Sequence, residues 1–203
     1  MLKTKSYFDQ DTNTVTYLVW EPESSQAVII DPVMNYEPNA ARLTSVSAEK
    51  VLKDVRDKSL NVEWVLDTHA HADHLSAAHY IREKTSAKIG IGTRITDVQK
   101  KFKLLFNAED VHTDGVQFDA LFDDGDTFTF GNTAIMVMHT PGHTPACVTY
   151  LIDDMAFVGD TMFMPDYGTA RADFPGGDAG TLYRSIQKIL SLPSKTRIML
   201  CHD

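Results

Sequence analysis

Three histidines and one aspartate fall within six residues, His69-Ala70-His71-Ala72-Asp73-His74, directly after the apolar, β-branched stretch at 62–66. Potential ligands packed this tightly behind a buried strand mark a site, because the loop leaving a strand end can aim several side chains into one cleft. A polar loop of merely solvated histidines would not concentrate four such groups there. Imidazole and carboxylate together suit zinc, iron and other borderline metals. Strand alternation would point His69 and His71 the same way. Asp73 and His74 would then leave at the start of a helix over 74–84 and aim at a second position. The cluster thus requires a β scaffold that delivers side chains from strand ends.

The other candidates sit in the same kind of place. His143 lies in Thr140-Pro141-Gly142-His143-Thr144, a sharp turn after a strand over 133–138, and such a turn can push one imidazole into a cleft. Asp160 follows a short strand over 156–158, a usual position for a ligand on a β framework. The segment 171–177 and the pair His202-Asp203 also follow strands or turns. His79, His112 and His139 lack such settings and read as structural.

The remaining periodicity gives a mixed α/β order. A hairpin pairs 14–20 with 26–30 around the turn chemistry of 21–25, and Asp31-Pro32 ends it. Residues 42–45 read as a loop, and Ser47 as the cap of a helix to about Lys58. Short strands at 62–66 and 88–91 alternate with helices at 74–84 and 93–106. Strands at 118–122, 127–130, 133–138, 148–152 and 156–158 follow, then a helix at 179–190 and a strand at 197–201. This order predicts two mixed sheets covered by helices rather than one doubly wound sheet. The 203 residues, 43% hydrophobic and 23% charged, suit a single domain over 1–203 with a sizeable core.

Charge and composition exclude several partners. A formal net charge of -9 disfavours nucleic acid, whose phosphates need clustered Lys and Arg. The longest apolar runs are too short to span a bilayer. No secretory signal is read at the N-terminus, so a cytoplasmic protein is expected. The two cysteines, Cys147 and Cys201, do not make a disulfide framework and are expected to be reduced and buried.

Taken together, His69-x-His71-x-Asp73-His74, then His143, Asp160 and His202, resemble the ordered ligand set of the metallo-β-lactamase superfamily across most of the chain. The resemblance implies a four-layer αββα sandwich with its site at one edge between the sheets. Where that superfamily binds two metals, His69, His71 and His143 would hold the first, Asp73, His74 and His202 the second, and Asp160 would bridge. Asp160 stands where many true β-lactamases have Cys. Arg171-x-Asp173-Phe174-x-x-Gly177, followed by Thr181-Leu182-Tyr183-x-Ser185, is similar to the persulfide dioxygenases and β-lactamase-like hydrolases, which are related to glyoxalase II. Ala172 departs from the Cys found there in many relatives. Relatives also continue past the histidine that matches His202, so a C-terminal segment is expected to be missing here.

That branch implies one ferrous ion per chain on His69, His143 and Asp160, the two-histidine, one-carboxylate arrangement that leaves coordination open. His71, Asp73, His74 and His202 would surround it. Asp73, His74 and Arg171 would assist catalysis, and Arg171, Asp173 and Tyr183 would contact substrate, although Tyr183 fits core packing equally well. The implied reaction is oxidation of a low-molecular-weight persulfide, glutathione persulfide, by O2 to sulfite and thiol in sulfide detoxification. A dizinc thioester hydrolase of glyoxalase II type is the alternative. A homodimer is common among the resembling proteins.

Overall fold

The computed structural model describes residues 1–203. The chain opens with strands β1 (Lys3–Asp9), β2 (Thr14–Trp20), β3 (Gln26–Ile30), β4 (Val33–Glu37) and β5 (Arg42–Thr44), then helix α1 (Val46–Asp57). Strand β6 (Asn61–Leu66), the two-residue β7 (Leu75–Ser76), α2 (Ala78–Thr85), β8 (Lys88–Gly92) and α3 (Ile95–Leu105) follow. The second half carries β9 (Ala120–Phe122), β10 (Thr127–Phe130), β11 (Thr133–His139), β12 (Val148–Ile152), β13 (Met155–Phe157), α4 (Ala179–Leu190) and β14 (Arg197–Met199).

Two mixed sheets form the centre. The first has the order β1-β2-β3-β6-β8-β9 and the second β10-β11-β12-β13-β14. In the first, β1, β2 and β3 pair antiparallel, whereas β3, β6, β8 and β9 run parallel. Strands buried on both faces read as unbroken apolar runs, and β3 does so: Val28 and Ile30 face the second sheet, Ala27 and Ile29 the helices. Across the centre they meet Phe130, Ile135, Tyr150, Ile152 and Phe157. Helix α1 lays Ala48, Val51, Leu52 and Val55 on the outer face of the first sheet. Helix α4 covers the second sheet, with Ile189 against Met138, Ala156 and Val158. The result is the expected helix–sheet–sheet–helix sandwich.

Several local expectations need correction. Arg42–Thr44 is a strand, not a loop, and pairs with β4 in a small third sheet β5-β4-β7. Pairing of Leu75 and Ser76 with β4 keeps His74 out of a helix, so α2 starts only at Ala78. Because β6 ends at Leu66, His69 and His71 lie in a loop and strand alternation does not orient them. Strand β1 was not expected, since its exposed edge position allows Lys and Ser where an inner strand would need apolar residues. Ser47 does not cap α1. Its hydroxyl donates to the Asp9 carboxylate at 2.5 Å.

Candidate metal centre

The site is assembled at one edge of the sandwich, where loops from both sheets are tied together. The Val148 amide donates to the Thr68 carbonyl at 2.9 Å, and the Val15 amide donates to the Cys201 carbonyl at 2.7 Å. Two glycines make the turns that present His143 and Asp160. Gly142 has φ +138 and Gly159 φ +53, conformations unfavourable to a side chain. A Cβ on Gly142 would come within 2.3 Å of Leu182 backbone, and one on Gly159 within 2.5 Å of the Thr68 hydroxyl. Turn and helix are thus pressed together, and Ser185 on α4 donates to the Pro141 carbonyl at 2.6 Å.

Five imidazoles converge here, and each has one ring nitrogen committed to an acceptor. His143 Nδ1 donates to the Arg171 carbonyl at 2.8 Å, His202 Nδ1 to the Asn13 carbonyl at 3.0 Å, and His74 Nδ1 to the Leu75 carbonyl at 3.1 Å. His71 Nε2 donates to Asp31 Oδ1 at 3.1 Å. His69 Nδ1 lies 3.0 Å from the Thr68 hydroxyl, which is itself committed as donor to Asp31. A carbonyl or carboxylate cannot donate, so these contacts fix which nitrogen carries hydrogen.

The opposite nitrogens point at one another's space. His69 Nε2 and His143 Nε2 lie 3.6 and 3.5 Å from Asp160 Oδ2. His202 Nε2 lies 3.3 Å from both Asp160 Oδ1 and Asp73 Oδ2. Buried His69 Nε2, His71 Nδ1, His74 Nε2 and Asp160 Oδ1 have no hydrogen-bond partner. Imidazole lone pairs against carboxylate oxygens repel unless a proton or a cation lies between them. Orphaned buried polar atoms are costly, and here they are aimed together. Among the groups of donors mutually within 4.8 Å are His69–His143–Asp160, His71–Asp73–His74 and, sharing Asp160, Asp160–Cys201–His202. Nitrogen and carboxylate donors at this spacing fit a divalent first-row metal.

A buried acid pair supports the histidines from below. Asp31 accepts from the Thr68 amide at 2.7 Å as well as from His71. Burial works to raise its carboxyl, but the His71 charge and hydrogen bond outweigh burial and hold it below the usual range. Burial pushes Asp67 up to about 7, with His71 opposing and Asp31 adding to the rise. His71 itself is raised to about 9: burial lowers it, and Asp31 more than compensates. His74, without an acid beneath it, is lowered to about 4 by burial and by the neighbouring His71 charge. A metal entering at His71 Nδ1 would displace a proton. Asp160 is held far down, since His69, His202 and His143 together outweigh its burial.

Asp73, His143, Asp160 and His202 open into a cavity of about 740 Å³, also lined by Phe163, Arg171 and Phe174. Arg171 pairs with Asp173 through Nε at 2.7 Å and Nη2 at 3.0 Å, so its Nη1 edge remains for a ligand. Asp173 is exposed and outside the lining. Tyr183 is 64% exposed, hence not core, and stands outside the lining of this cavity. His139 is structural, its Nε2 donating to the Pro145 carbonyl at 2.9 Å. His79 is exposed on α2 beside Glu83. Sequence reasoning missed Asp31, Asp67 and Asn13. A carboxylate directly after the apolar β3 was a usable signal for Asp31, whereas the other two depend on contacts far apart in sequence.

Known proteins match this chain over nearly all of its length. The family model of the metallo-beta-lactamase superfamily matches residues 10–202. A probable metallo-hydrolase of Burkholderia pseudomallei is 49% identical over all of this chain and 72% of its own length. The beta-lactamase hydrolase-like protein of Xylella fastidiosa is 47% identical over 99% of the chain, which spans only 47% of that relative. The mitochondrial persulfide dioxygenase ETHE1 of Homo sapiens is 32% identical over 98% of the chain and 67% of its own length. The crystal structure of ETHE1 from Myxococcus xanthus superposes with a TM-score of 0.78 at 30% identity, covering 99% of this chain and 76% of that one. No helix is long and apolar enough to cross a membrane. By its fold and its matched span, the chain belongs to the metallo-beta-lactamase superfamily.

Proposed function

We propose that the protein is an iron-dependent dioxygenase of low-molecular-weight persulfides, glutathione persulfide foremost, acting in the cytoplasm. The observation that carries this reading is the convergence of His69 Nε2 and His143 Nε2 on Asp160 Oδ2 at 3.6 and 3.5 Å, beside a cavity bordered by Arg171. Two imidazoles and one carboxylate on one side leave the other side open. The persulfide dioxygenase among the relatives supports the same choice.

Bound there, ferrous iron would supply open positions and the electron transfer that lets O2 react with sulfur. In the balanced reaction, a persulfide, one O2 and one water give a thiol and sulfite. The terminal sulfur loses four electrons and O2 gains them. The chain's own residues bind and orient. The free edge of Arg171 offers two N–H groups to a substrate carboxylate. Phe163 and Phe174 supply apolar walls to the cavity. Asp73 and His202, 3.3 Å apart, can hold and pass protons at the cavity floor.

A second reading, a dizinc hydrolase of thioesters, is favoured by a specific observation: His71 Nδ1 and His74 Nε2 are also buried and unpaired beside Asp73. Reconstitution without oxygen, metal analysis and oxygen-electrode assays separate the two. About one iron per chain and O2 uptake dependent on glutathione persulfide support the dioxygenase. Two zinc ions per chain with thioester cleavage and no O2 uptake would overturn it.

A further inference from the structure

We propose that Asp9 is a positioning residue for His202, acting through the turn between β1 and β2. The proposal rests on the reading above only in taking His202 as part of the working site. Asp9 ends β1 and is 5% exposed, unusual for a carboxylate with no cationic partner. Its Oδ1 accepts from the Asp11 and Thr12 amides, both at 3.2 Å, and from the Thr12 hydroxyl at 3.1 Å. Its Oδ2 accepts from Asn35 Nδ2 at 2.9 Å and from the Ser47 hydroxyl at 2.5 Å. One oxygen therefore shapes the turn, and the other fastens it to β4 and α1.

The turn delivers a single acceptor. Asn13 adopts φ +55, and its carbonyl accepts from His202 Nδ1 at 3.0 Å and from the Asp203 amide at 3.3 Å. Thr12 and Thr14 hydroxyls are linked at 2.9 Å, and Thr14 forms an isolated β-bridge to His202. The carbonyl matters because two carboxylates lie on the other side of the ring. Asp73 Oδ2 and Asp160 Oδ1, each 3.3 Å from Nε2, would draw the ring proton to Nε2. The Asn13 carbonyl instead keeps hydrogen on Nδ1, so that Nε2 presents its lone pair to the cavity. Asp9 sets where that carbonyl stands. A chain of hydrogen bonds that orients a site histidine thus reaches from α1 through a buried carboxylate and a turn to His202.

The test reads the His202 Nδ1–H proton by nitrogen-15 NMR in the diamagnetic zinc-loaded chain, assigned by its loss in His202→Gln. Asp9→Asn places an amide against the donors of Asn35 and Ser47, and Asp9→Ala removes both halves of the clamp. Both should speed exchange of that proton by about tenfold or more, the signature of local opening. Asp119→Ala, which removes the acceptor of the Ile89 amide, controls for general destabilisation and should leave it unchanged. Should Asp9→Ala fail to fold, Asp9→Asn decides. In the iron enzyme, where His202 passes protons, Asp9→Asn should lower kcat about tenfold with KM nearly constant. Exchange in Asp9→Asn within about twofold of the wild type overturns the proposal. The NMR result stands whether or not the wild type consumes O2, so failure of the functional reading is seen separately.

Discussion

His143 and Arg171 are joined through the backbone, not the side chain: the imidazole Nδ1 donates to the Arg171 carbonyl at 2.8 Å. The guanidinium points elsewhere, to Asp173. Arg171→Ala keeps the carbonyl and so should keep metal content. It removes the substrate-facing edge, so KM should rise about tenfold, the equivalent of roughly 1.4 kcal/mol. Metal analysis beside steady-state kinetics checks both halves. Loss of metal in Arg171→Ala would show that the side chain, through Asp173, holds the loop.

Asp160 is the one carboxylate that both His69 and His143 face. Asp160→Ala removes the negative charge that makes their shared space attractive to a cation. Metal content should fall below detection, and activity should drop by more than about a hundredfold, since even partners behind a ligand cost about 10–100-fold. The fold should survive, because only a donor already held in repulsive contact is removed. Retained stoichiometric metal in this variant would refute a centre on His69, His143 and Asp160.

The sequence displayed the donors more clearly than their geometry. Clustering alone singled out His69–His74, and strand ends singled out His143, Asp160 and His202, because residue type and position in a turn are local properties. What the pattern could not supply was which nitrogen faces inward. That depends on Leu75, Arg171 and Asn13 carbonyls and on Asp31, and three of these lie 28 to 189 residues from their histidines. The same limit explains β7. Two residues, Leu75 and Ser76, become a strand only because β4 offers them an edge, and that pairing turns a predicted helix start at His74 into a loop.

Both cysteines should be silent in the native protein. Cys147 and Cys201 are 2% and 1% exposed. Burial pushes the Cys147 thiol up to about 12, against the hydrogen bonds from Thr144, and drives Cys201 well above its ordinary value. The thiolate is the reactive form. A colorimetric thiol reagent should therefore find no thiol in native protein at pH 8 and both in denaturant. Rapid native labelling would show that the edge near Cys201 opens.

The Asp9 clamp should appear in the pH dependence of stability. Burial would raise its carboxyl, but hydrogen bonds from Ser47, Thr12 and Asn35 outweigh burial and lower it. With the folded value depressed, the contribution is full above the unfolded value of about 3.9 and disappears as pH falls through the folded value. Urea midpoints of wild type and Asp9→Asn should thus differ most near neutrality and converge on acidification. A constant gap from pH 7 to pH 3 would show that the ionised form is not what the clamp uses.

Asp31 should prove the most costly single carboxylate in the molecule. It is 2% exposed, and its two oxygens serve the Thr68 amide, the Thr68 hydroxyl and His71 Nε2. Asp31→Ala leaves a buried imidazole and a buried amide unpaired at once. Removing one partner of a buried charged pair costs about 3–5 kcal/mol, because the remaining group keeps its desolvation penalty. Asp31→Asn retains an acceptor for the Thr68 amide and should cost less. His71, which owes its raised value of about 9 to Asp31, should then titrate lower in Asp31→Asn. Chemical denaturation of the metal-free chain measures the first effect, and NMR titration of His71 the second. Loss of stability below about 1 kcal/mol in Asp31→Ala would mean that water enters and replaces the carboxylate.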